Sequence, residues 1–126
     1  MSDMLNIVEE ASPVYNIKHR AFYLAKDVIL FLAQQRYEKM YVPLIDQLIR
    51  SVSSVGANLV EGVAGSSKND FLKFNVIALK SANETKYWLS LIKETMNFEK
   101  ERVKEFITEA DEISKIIATI IINTKK

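Results

Sequence analysis

Apolar residues recur along most of this chain at steps of three and four, the spacing that gathers side chains on one face of an α-helix. Ser12-Pro13 reads as a helix start, with serine as cap and proline in the first turn. Tyr15, Phe22, Ala25, Ile29 and Leu32 then form the first apolar row. The polar run from Gln34 to Lys39 ends that helix. Tyr41-Val42-Pro43 predicts a connection, because the residue before a proline avoids helical geometry. A second helix carries Ile45, Leu48, Val52, Val55 and Leu59 at steps of three, four, three and four, a bundle-type seam. The third opens at Ser67, a cap with Asp70 three residues on, and runs through Phe71, Phe74, Ala78, Ser81, Thr85, Trp88 and Ile92. The middle of that seam is small, so a neighbouring helix can approach closely. The fourth, from about Lys100, carries Val103, Phe106, Ala110, Ile113, Ile117 and Ile120, with Glu101, Glu105, Glu109 and Glu112 outside. Four amphipathic helices with short connections predict an all-α fold, an antiparallel up-down-up-down four-helix bundle. Residues 1–12 read as a flexible N-terminal arm and 13–126 as a single bundle domain.

Two helices carry a second apolar row. On the first it is Ile17, Ala21, Leu24, Val28 and Phe31; on the third it is Leu72, Val76 and Leu79. A bundle helix needs one stripe, so an extra one is either a wide core face or a protein–protein surface. The row Leu72, Val76, Leu79 is the candidate oligomer interface, and a homo-oligomer is expected.

Composition narrows the class. A chain of 126 residues suits one domain with one core. Three glycines and two prolines supply few turns, which disfavours a many-stranded fold. The formal charge of +1 leaves any nucleic-acid contact to a local basic patch. Without cysteine there is no disulfide or thiolate chemistry. Residues 1–10 are acidic and lack the layout of a secretory signal. The apolar clusters at 28–33 and 116–122 are far shorter than the ~20 residues that span a bilayer. A cytoplasmic protein is expected.

Candidate chemistry is sparse. The lone histidine, His19, cannot build an ordinary zinc site, and no Glu-x-x-His pair suggests a di-iron centre. Ser90-Leu91-Ile92-Lys93 has serine-acylase spacing without the partner motifs. Phosphate-binding glycine loops are missing. These readings predict no enzyme, no metal and no cofactor. Asn58 and Glu61 share a helix face beside the seam, and Glu84 flanks the seam of the third helix. They either bind a ligand or are satisfied internally, and the second reading is preferred. Gly62 or Gly65 reads as the helix-ending glycine in left-handed conformation. The basic candidates are Lys18, Arg20, Arg50, Lys68, Lys73, Lys80, Lys86, Lys125 and Lys126, with Lys73 and Lys80 on one face at a seven-residue step.

The run Gln47-Leu48-Ile49-Arg50 through Ser54-Val55-Gly56-Ala57-Asn58-Leu59-Val60-Glu61-Gly62, then Ser67 to Phe74, and Ile77-Ala78-Leu79-Lys80-Ser81 with Glu84, resembles the 23S rRNA intervening-sequence protein family. The resemblance extends from about Tyr15 to Ile122. It implies a closed bundle assembled into a ring, commonly a pentamer, and a link to RNA, since the family takes its name from reading frames inside insertions of ribosomal RNA genes. A related group of bundles serves reverse transcriptases as accessory proteins. Two departures stand out: Gly56 replaces a common proline, and the loop at Gly65-Ser66 lacks an arginine often found there, which weakens the RNA inference. The leading expectation is a non-enzymatic RNA or ribonucleoprotein scaffold touching phosphates through Arg50, Lys68, Lys73 and Lys80. The alternative is a protein–protein adaptor, such as an accessory subunit to a reverse transcriptase.

Overall fold

The computed structural model describes the chain from Pro13 to Lys126, with side chains from Ile17 onward. The expected Ser12 cap, the 1–12 arm and the Tyr15 side chain lie outside the described residues. Four α-helices follow one another: α1 (Pro13–Ala33), α2 (Val42–Ala64), α3 (Lys68–Thr95) and α4 (Lys100–Lys125). A 3-10 turn at Lys39–Tyr41 precedes α2, and no strand occurs among the described residues. Proline 43 lies in the first turn of α2, where its missing N–H costs no helical hydrogen bond. The expected connection therefore ends two residues earlier, at Tyr41. At α3 the cap is as read: the Asp70 backbone N–H donates to Ser67 Oγ at 3.1 Å.

The helices pack in the cyclic order α1, α2, α3, α4, with α4 closing on α1 and the α2–α3 contact the most extensive. Ile45, Leu48, Val52, Val55 and Leu59 of α2 are all buried, as are Val103, Phe106, Ala110, Ile113 and Ile117 of α4. Each fully buried Leu or Ile contributes about 1.5–3 kcal/mol of burial free energy, so these two rows dominate the core. On α3 the buried set is Asn75, Ala78, Ser81, Ala82, Thr85, Leu89 and Ile92. Phe71, Phe74 and Trp88, expected in that seam, are only half-buried, and Leu89 takes the inward place expected of Trp88.

On α1 the two apolar rows exchange roles. Ile17, Ala21, Leu24 and Val28, the supposed second row, form the core face with Leu32. Phe22 and Ala25 of the expected seam are half-buried, and Ile29 is 40% exposed. Two contacts flank the buried face. Arg20 is held on the α4 side by Glu109 and Glu112, while Ala21 meets Gly56 of α2.

The glycines also differ from expectation. None has a positive φ. Gly65 does cap α2, but in extended conformation (φ −64°, ψ 153°). Gly62 lies inside the helix, buried, where a Cβ would stand 3.3 Å from both Asn75 Nδ2 and Phe74 Cβ. It permits close approach of α3. A Cβ on Gly56 would meet Ala21 Cβ at an ordinary 3.6 Å. The same substitution is thus expected to act differently at the two sites. Gly56→Ala should stabilise the protein by about 0.5–1 kcal/mol through helix propensity. Gly62→Ala should lose that gain to crowding against Phe74. Urea unfolding of both variants checks this, and equal gains would refute the role given to Gly62.

Candidate functional site

Polar residues along the α2–α3 seam form a ladder. Ser81 Oγ donates to Ser54 Oγ at 2.9 Å, and Asn58 Nδ2 reaches the same oxygen at 2.9 Å and the Ser54 carbonyl at 2.8 Å. Further along, Thr85 Oγ1 lies 3.0 Å from Ser51 Oγ and 2.8 Å from the Ser81 carbonyl. Asn58 is therefore engaged within the seam, as the internal reading has it. Small hydroxyl residues do two things here: they let the backbones approach, and they satisfy one another once water is excluded.

The remaining polar positions of the segment face outward. Glu61 is exposed, and exposed Glu84 accepts a hydrogen bond from Trp88 Nε1 at 3.3 Å. Three residues separate the Asn58 amide, turned to the seam, from the Glu61 carboxylate at the surface, and no hydrogen bond joins them. Asn75 was not singled out by spacing, since asparagine carries no apolar signal. It is 1% exposed, donates to the Phe71 carbonyl at 2.9 Å, and its Oδ1 has no protein partner. Leu72, Val76 and Leu79 are half-buried and pack against the core cluster, which accounts for part of their apolar surface.

The basic residues divide by partner. Arg20 Nε donates to Glu109 at 2.9 Å and its Nη2 bonds both Glu109 and Glu112, joining α1 to α4. Those carboxylates raise its pKa further above the ordinary range. Lys86 joins α3 to α4 through Asp111 at 3.1 Å and Ser114 at 3.2 Å. Lys18 is 8% exposed, and loss of solvent lowers its pKa. By contrast Arg50, Lys68, Lys73 and Lys80 are exposed and form no ion pair with a described carboxylate; Lys73 rests over the Phe74 ring at 5.4 Å.

One feature escaped the sequence reading. An open groove of about 630 Å³ runs between α1 and α2, lined by Ala21, Phe22, Ala25 and Ile29 on one side and Gly56, Ala57 and Val60 on the other. Leu30, on its rim, is 52% exposed. The groove exists because the facing positions are alanine and glycine while the flanking ones are large. Its signal in the sequence is the first apolar row of α1, whose helical spacing fits a core face equally well. Among the described residues no group of three histidine, cysteine or carboxylate residues could hold a metal, and no helix is long and apolar enough to cross a membrane.

Comparison with known proteins bears on what these surfaces serve. Residues 15–119 match the model of the 23S rRNA-intervening sequence protein family. Among solved structures, the chain is similar to a protein of unknown function from the S23 ribosomal protein family of Bacteroides thetaiotaomicron. The two share 30% identity over 87% of this chain and 98% of that one, with a TM-score of 0.76. Proteins of curated function give no match.

The ion pairs at Asp111, with Lys115 inside α4 and with Lys86 of α3, carry a pH signature. Hydrogen bonds from Lys115 and then Lys86 hold the Asp111 carboxyl below the usual aspartate range. With a folded pKa below the unfolded value of about 3.9, its contribution to stability is present above that pH and lost as pH falls through the folded value. Asp111→Asn should therefore lower the urea midpoint at pH 7 and lose its effect as pH falls through the folded pKa. A difference that persists unchanged in acid would exclude the ionic origin.

Proposed function

Because the chain belongs to the 23S rRNA-intervening sequence protein family, we propose that it is a non-enzymatic RNA or ribonucleoprotein scaffold of the cytoplasm. Arg50, Lys68, Lys73 and Lys80 are its phosphate contacts. The observation that carries this reading is the division of the cations. Arg20 and Lys86 are committed to interhelical carboxylates, whereas these four are exposed and without such partners. Phosphate contact needs a cation that water, rather than a carboxylate, currently solvates.

The proposal extends to architecture. The helices run up-down-up-down, in support of which the partners of Ser51, Ser54 and Gly62 on α3 are Thr85, Ser81 and Phe74, numbers falling as the others rise. The bundles assemble as a homo-oligomeric ring, a pentamer by family resemblance, with the open edge of the row Leu72, Val76, Leu79 at the contact. A ring repeats Lys73 and Lys80 around its circumference, so modest charge per chain becomes a continuous basic belt.

Two measurements test this. Binding of a structured ribosomal RNA fragment should weaken as salt rises, and Lys73→Ala with Lys80→Ala should reduce the log–log salt slope by roughly one per lysine. An unchanged slope, or no binding at low salt, overturns the phosphate contacts. Light scattering at micromolar concentration should give a multiple of the 14.4 kDa chain mass, and a monomer would sink the ring.

A further inference from the structure

A second cleft, of about 280 Å³, lies where the α1–α2 connection meets the α3–α4 connection. Tyr37 and Phe98 bring the two together, with ring centroids 6.2 Å apart and planes at 69°, and Tyr41 Oη donates to the Thr95 carbonyl at 3.5 Å. Its character differs from that of the apolar α1–α2 groove. The aromatic walls are met by polar side chains from both connections, Arg36 and Glu38 from one and Asn97 from the other. Those three side chains are exposed, and none has a hydrogen-bond or ionic partner among the described residues. Tyr37 is 37% exposed, and a single edge-on neighbour such as Phe98 covers at most one face of its ring.

From this geometry we propose that the cleft binds an unpaired nucleobase together with its phosphate. The base stacks on Tyr37, Glu38 and Asn97 meet the donors and acceptors at its edge, and the Arg36 guanidinium takes the phosphate. Each part of the cleft then has a use. A purely apolar ligand would desolvate Arg36, Glu38 and Asn97 without pairing them, and a bare anion would make no use of the aromatic wall. The ligand class is therefore a nucleotide, and the inference rests on the RNA reading in taking a single strand as its source. The two sets of contacts are separate. Thr95 lies about 22 Å beyond Lys80 along α3, so the lysine face and the cleft are different sites.

2-Aminopurine, whose fluorescence is quenched by stacking, is the probe, used as the free 5′-monophosphate, as the riboside and within a short single-stranded RNA. With the full-length protein the monophosphate and the strand should be quenched saturably. Tyr37→Leu should weaken both about tenfold at unchanged helix content, while Tyr37→Phe, which keeps the ring, should not. Arg36→Ala should weaken the monophosphate several-fold and leave the riboside unchanged; equal effects on the two would overturn the phosphate contact. Lys73→Ala with Lys80→Ala should leave the monophosphate unaffected. A strand bound more tightly than the monophosphate supports RNA as the source, whereas equal affinities would make a free nucleotide the ligand and overturn that link. Quenching that does not saturate, or that survives Tyr37→Leu, overturns the base site. Structured RNA that fails to bind while the monophosphate is still quenched would sink the scaffold reading and keep the cleft.

Discussion

The close approach of α2 to α3 is the constraint on which the rest of this bundle depends. Gly62 removes the side chain that would strike Phe74 and Asn75, and Ser51, Ser54, Ala78, Ser81, Ala82 and Thr85 keep the interface narrow. Narrowness alone would strand hydroxyls away from water, at about 1–3 kcal/mol for each unsatisfied group. The pairing of Ser81 with Ser54 and of Thr85 with Ser51 avoids that cost. With this pair of helices in register, the aliphatic rows of α2 and α4 meet in one core, and α1 closes the ring of contacts.

The outer pair is fastened differently. Between α1 and α4, and again between α3 and α4, charged groups at the rim make the link: Arg20 with Glu109 and Glu112, Lys86 with Asp111. The Arg20 and Glu109 side chains are 32% and 33% exposed, so solvent screens the pair and its worth is about 1 kcal/mol at most. The orientation of α1 is set by its buried face. Burial of Ile17, Leu24, Val28 and Leu32 turns the row Phe22, Ala25, Ile29 away from the centre and leaves the groove toward α2, with the ion pair fastening the α4 flank. Interior seam and exterior surface are coupled through the rotation of one helix.

This coupling explains the distribution of functional candidates. The segment Asn58 to Gly62 spans three environments within two turns: Asn58 in the hydroxyl ladder, Glu61 at the edge of the groove, Gly62 against α3. Its members serve packing on one side and border a free surface on the other. The cations proposed as phosphate contacts, Arg50, Lys68, Lys73 and Lys80, lie outside the groove lining, on α2 and α3.

Helical periodicity by itself determined that there are four helices, where α4 begins, that Ser67 caps α3 and that the middle of α3 is narrow. Each follows from local chemistry: a step of three or four, a serine hydroxyl within reach of a backbone N–H, a run of small side chains. Which of the two apolar rows of α1 faces inward was not legible, because both have the helical period and rotation about a helix axis is decided by neighbours. The burial of Asn75 and the loss of Arg20 and Lys86 to carboxylates of α4 belong to the same class. Each depends on a partner distant in the sequence, such as Glu109, 89 residues from Arg20, or Asp111, 25 residues from Lys86, and so only the tertiary structure could decide it.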